Sequence, residues 1–130
     1  MFKKIICATI LFATLNAFAH EGHDQTPGSL KANHGGTVKA GKEFNLEYVV
    51  SGNELKLYPA SHEGSDLLAT EVKISGTGKL PKGKAESLKI ELKNGIYTAP
   101  IDFKSGYRIE VIATTEYKGK KDSFKFQVEK

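Results

Sequence analysis

Four histidines, His20, His23, His34 and His62, are the residues of this 130-residue chain best placed to do chemistry. All fall in segments rich in Gly, Ser, Asp or Asn, and none occupies an apolar strand position. His20-Glu21-Gly22-His23-Asp24 gathers two imidazoles and two carboxylates within five residues. Such a segment can wrap around a divalent ion at the cost of ordering itself. His34 lies in Asn33-His34-Gly35-Gly36, at the entry to the first apolar run, and His62 lies in the loop Ser61-His62-Glu63-Gly64. If both loops meet at one end of the fold, His34, His62 and Glu63 could share a site. The candidate metal ligands are therefore His34 first, then His20 and His23, then His62, with Glu63 and Asp24 as carboxylate donors. Two plainer readings stay open. Loop histidines are often solvated side chains without a task, and Gly35-Gly36 can serve backbone conformation alone.

The type of ligand narrows the metal. Cys7 and Met1 are the only sulfur-bearing residues, and both lie in an N-terminal segment with the three parts of a secretory signal. Lys3 and Lys4 form its positive region, Ile5 to Ala13 its apolar run, and Ala17-Phe18-Ala19 its small-residue cleavage box. Cleavage before His20 removes residues 1–19 and leaves 111 residues, with a formal charge reduced from +4 to +2 by the loss of Lys3 and Lys4. The apolar run is far shorter than the roughly 20 residues of a spanning helix, so no membrane anchor is expected after cleavage. Cys7 lies inside that run, which argues against a lipid anchor. The mature chain then has no thiolate or thioether for Cu(I). Imidazole and carboxylate instead suit copper(II), zinc and similar divalent ions. Cleavage also frees an α-amine beside the His20 ring, and an amine and imidazole on one residue can chelate one ion. No spacing here matches a closed structural zinc site.

The elements that must carry these residues read as strands. Phe44, Leu46, Tyr48 and Val50 alternate with polar neighbours, as do Leu55 and Leu57, Val72 and Ile74, and Leu88, Ile90 and Leu92. The same holds for Tyr107, Ile109, Val111 and Ala113, and for Phe124, Phe126 and Val128. Alternation with period two gives each strand one apolar face. Gly52-Asn53, Asn94-Gly95 and Lys118-Gly119-Lys120 carry hairpin chemistry, and Gly76 to Gly83 reads as a longer Gly/Pro/Lys connection. Helix is expected only near Ser65 to Leu68. The pattern predicts an all-β fold, an antiparallel sandwich of about seven strands with an immunoglobulin-like architecture. Residues 20–32 read as a flexible leader and residues 33–130 as one domain.

Other functions are disfavoured. Lysines alternate with Asp and Glu without an aromatic-interleaved basic run, so no nucleic-acid partner is expected. Ser61-His62-Glu63 holds the residue types of a hydrolase triad, but adjacent side chains do not form the relay, and no enzyme is expected.

The motifs resemble those of small periplasmic β-sandwich proteins associated with heavy-metal efflux. Those proteins carry a His-rich leader, a His-Gly-Gly motif opening the first strand, and a pair of apolar strands followed by a loop bearing Asp or His. Here the corresponding stretches are His34-Gly35-Gly36-Thr37-Val38, Phe44 to Val50, Leu55-Lys56-Leu57-Tyr58 and then His62. The chain is also similar to the N-terminal sandwich of some metal-efflux adaptor proteins, though their hairpin and barrel domains have no counterpart here. A histidine at the mature N-terminus is shared with CopC-like copper carriers, but a late Asp-x-His pair is not. The resemblance implies a periplasmic protein that binds or buffers a divalent transition metal and serves a membrane efflux complex. The competing expectation is a periplasmic or surface sandwich that contacts a protein partner without metal.

Overall fold

The computed structural model describes residues 30–130. Residues 1–29, which include the expected signal peptide, most of the expected leader and the candidate ligands His20, His23 and Asp24, lie outside the described residues. Nine strands follow: β1 (Thr37–Ala40), β2 (Asn45–Ser51), β3 (Glu54–Ala60), β4 (Val72–Lys79), β5 (Glu86–Ser87), β6 (Glu91–Lys93), β7 (Ile96–Pro100), β8 (Arg108–Tyr117) and β9 (Lys120–Glu129). They form two antiparallel sheets, ordered β1-β2-β3-β7-β6 and β5-β4-β8-β9. The all-β sandwich is as expected, with nine strands in place of about seven.

The period-two faces close on one another to make the core. Leu46, Leu55, Leu57 and Ala99 of the first sheet meet Val72, Val111, Ala113, Phe124 and Val128 of the second, all buried. Burial of each large aliphatic side chain contributes about 1.5–3 kcal/mol. Aromatic pairs bridge the layers. Tyr48 stacks on Phe126 at 4.0 Å between ring centroids, and Phe44 meets Phe124 at 5.4 Å. The tight turns take the residues read for them. Asn94 and Gly95 adopt φ of 52° and 79°, and Lys118 and Gly119 adopt 54° and 77°. Both pairs lie in the left-handed region that a two-residue type I′ hairpin demands.

The second sheet differs from the sequence reading in two places. Gly76 and Gly78 belong to β4 and not to a connection, pairing with Ala113 and Val111. A Cβ on Gly76 would stand 2.7 Å from the Ile112 carbonyl oxygen, and one on Gly78 would stand 3.1 Å from Leu88 Cδ2. Glycine leaves space there for Leu88 and Ile90 to pack over the strand. Those two residues lie in the passage from one sheet to the other, so the expected single run of Leu88, Ile90 and Leu92 is split into β5 and β6. The expected helical turn falls slightly later, as a 3₁₀ turn at Ala69–Glu71.

Candidate metal-binding site

The His-Gly-Gly loop is held by a buried carboxylate. Glu47 sits on β2, paired with Val38 of β1 on one side and Tyr58 of β3 on the other. Its side chain points to the face opposite Leu46, yet it is only 2% exposed because residues 33–36 fold over it. The Glu47 carboxylate accepts backbone N–H bonds from Asn33 at 2.9 Å, His34 at 2.8 and 3.1 Å, and Gly36 at 2.9 Å. A buried charge is tolerated when hydrogen bonds replace its lost water, and here three amides do so. The two glycines make the wrap possible in different ways. Gly35 has φ of +77°, whereas a Cβ on Gly36 would lie 2.2 Å from the Tyr48 carbonyl oxygen.

This anchoring fixes the imidazole. The His34 ring stacks on the Tyr58 ring at 3.8 Å between centroids and 9° between planes. Tyr58 stands directly across from Glu47 in the β2–β3 register, so the residue that ties the His34 backbone and the residue under its ring are cross-strand neighbours. The ring's Nε2 lies 3.1 Å from both oxygens of Asp66. Asp66 is brought there by the tight loop after β3. Ser61 N–H donates to Ser65 O at 2.7 Å, Gly64 N–H to Ser61 O at 2.9 Å, and a bridge pairs Ala60 with Asp66. Asn33 Nδ2 donates to Gly64 O at 2.6 Å and closes the two loops on each other.

The pair is open to solvent, with His34 and Asp66 side chains 30% and 53% exposed. Beside it lies a shallow cleft of about 210 Å³ walled by Tyr58, Leu67, Ala69 and Ile96. The arrangement sets one imidazole nitrogen directly against one carboxylate. Ligand atoms 3.1 Å apart, each about 2.0–2.1 Å from a divalent ion, would subtend about 100° at that ion, between the octahedral and tetrahedral angles. The spacing is compatible with two adjacent positions of a metal's shell.

His62 and Glu63 do not join this pair. His62 stands at the tip of the 61–65 turn, with its Nε2 3.0 Å from the carbonyl oxygen of Gly41 in the β1–β2 connection. Glu63 is exposed, and no hydrogen bond or ion pair ties it to His34. Among the described residues no group of three or more His, Cys, Asp or Glu side chains is assembled to hold a metal ion. The anticipated cluster of His34, His62 and Glu63 is therefore absent, because the turn directs its tip toward Gly41 and returns Asp66 to His34. Asp66 and Glu47 are the residues that sequence reasoning missed. Glu47 looked like the polar half of an alternating strand. Only the turn residues Ser61, Gly64 and Ser65 hint that the chain doubles back to Asp66.

No family model matches the chain, and no curated protein matches it. Among solved structures it is similar to the crystal structure of a DUF4426 family protein from Pseudomonas aeruginosa PAO1. The two are 19% identical with a TM-score of 0.55, over 72% of this chain and 96% of the other. At that identity the likeness concerns the fold alone, and it supports the two-sheet architecture.

Proposed function

We propose that the protein is exported to the periplasm and binds or buffers a divalent transition metal such as copper(II) or zinc, in the service of metal efflux. The observation that carries this reading is the His34–Asp66 pair, with Nε2 3.1 Å from both carboxylate oxygens on a loop fixed by Glu47. A ring held by stacking and by its own backbone loses little freedom on ligation, which favours binding. His34 and Asp66 supply two donors. The remaining positions fall to the leader, where His23 precedes His34 by eleven residues. A chain of that length spans up to about 36 Å, ample for the His20 and His23 rings and the free amine at His20 to reach the pair. The sequence resemblance to periplasmic sandwiches of heavy-metal efflux supports the same reading.

A direct test is an NMR titration of the mature protein, beginning at His20, with zinc. Slow-exchange shifts centred on the His34 ring and on the Asp66 and Tyr58 amides are expected. Shifts confined to residues 20–24 would place the ion on the leader alone and remove the domain from the site.

The second reading, a metal-free module that contacts a protein partner, has one observation in its favour. Leu68 is 66% exposed next to the same cleft. Loss of partner contact on Leu68→Ser, with zinc binding absent in the parent protein, is the pattern it predicts.

A further inference from the structure

The two ends of β7 border different clefts. Ile96 faces the His34 pair, whereas Pro100 lines a second and larger hollow of about 320 Å³ at the other end. Four lysines line this hollow: Lys79 at the end of β4, Lys84 and Lys89 on either side of β5, and Lys104 in the β7–β8 connection. Its carboxylates are Glu86 and Asp102, so cations outnumber anions by four to two. Asp102 also spends one oxygen on its own loop, accepting the Lys104 backbone N–H at 2.8 Å.

Among the described residues, Lys79, Lys84 and Lys104 have no carboxylate oxygen within 4.0 Å, and Lys89 is paired only with Glu91 at 3.6 Å. Leu80, Leu88 and Ile109 form the apolar walls. A concave surface with an excess of one charge sign, backed by low-dielectric walls, concentrates its field and draws in counter-ions. Lysine ammoniums are compact point charges that hold phosphate oxygens by charge and single hydrogen bonds, without the bidentate fork of Arg. The apolar walls give an organic ester somewhere to lie.

We propose that this hollow binds a phosphate-bearing ligand, with the anion held by Lys79, Lys84 and Lys104 and the organic part against Leu80 and Leu88. The hollow shares no lining residue with the cleft beside His34 and Asp66. The same chemistry can come from a soluble phosphate ester or from an anionic lipid headgroup.

The test is an NMR titration of the mature chain with inorganic phosphate and glycerol 3-phosphate, then sedimentation with phosphatidylcholine vesicles with and without phosphatidylglycerol. Two double variants of equal charge change are compared: Lys84→Gln/Lys104→Asn in the hollow, and Lys73→Gln/Lys121→Gln on the far part of the same sheet. Asn suits position 104, where φ is +52°. Saturable shifts at Gly83, Ser87 and Lys104, weakened about tenfold or more by the first variant and about twofold or less by the second, are expected. Preference for glycerol 3-phosphate identifies a soluble ester, and preference for phosphatidylglycerol vesicles a headgroup. Equal weakening by both variants, or no saturable binding in any arm, would overturn the proposal.

Discussion

His34 Nε2 stands 3.1 Å from both carboxylate oxygens of Asp66, a residue 32 positions further along the chain. Neither loop holds the other alone. The contact exists because Glu47 ties down the backbone before β1 while the 61–65 turn returns the chain beside Ala60. The pair contributes little to stability, since exposed ion pairs are worth about 0–1 kcal/mol.

Asp66→Asn should therefore separate binding from folding. Thermal denaturation should shift by no more than about 1 kcal/mol of stability. Zinc affinity should fall about tenfold or more, because a carboxylate ligand is replaced by a neutral amide, and tenfold corresponds to about 1.4 kcal/mol.

Glu47→Gln should behave in the opposite way to a surface change. An amide can accept through one oxygen only and turns N–H groups toward the Asn33, His34 or Gly36 amides. Leaving a buried amide without its acceptor costs about 1–3 kcal/mol, measurable by denaturant unfolding. Metal affinity should fall as well, although Glu47 touches the loop backbone and not the ion, because the His34 ring loses its fixed position.

The glycines of the motif should be unequal. Gly35→Ala meets no atom within 4 Å and pays only for φ of +77°, about 1 kcal/mol. Gly36→Ala would drive a Cβ to 2.2 Å from the Tyr48 carbonyl and must displace β1 from β2. Its cost should exceed that of Gly35→Ala by about 2 kcal/mol or more, read by unfolding of the two variants side by side.

Tyr97 supplies a test at alkaline pH. Its hydroxyl donates to the Val72 carbonyl oxygen inside the core, and burial pushes its pKa above the ordinary value. The folded state thus keeps a proton that the unfolded chain gives up near pH 10. The corresponding stability is fully present below about pH 10 and is lost as pH rises through the folded pKa. Tyr97→Phe should cost about 1 kcal/mol at neutral pH, through the lost hydrogen bond, and should flatten the decline above pH 10.

Much of the fold is legible in the chain because its signals are local. Alternation at Ile109, Val111 and Ala113 fixes which face of β8 is buried, and Asn94-Gly95 marks a hairpin without any tertiary information. The signal misleads where long-range packing takes over. Gly76 and Gly78 read as loop residues, yet they are strand residues that make space for Leu88 and Ile90. His34 was recognisable as a candidate from its type and its following glycines. Its partner was not, because the choice of Asp66 over His62 or Glu63 depends on how the 61–65 turn closes. Glu47 was invisible for a related reason: it lies on the solvent side of its strand by period, and only the overlying loop buries it.

Calorimetric titration of the protein beginning at His20 with zinc and copper(II), beside His34→Ala and His20→Ala/His23→Ala, decides whether the folded domain presents a metal ligand at His34. Saturable binding is expected in the parent protein, abolished or weakened about a hundredfold by His34→Ala, a loss of about 2.7 kcal/mol. Partial weakening is expected on loss of His20 and His23. Binding that is unchanged by His34→Ala, or absent from the parent protein, would rule His34 out as a ligand.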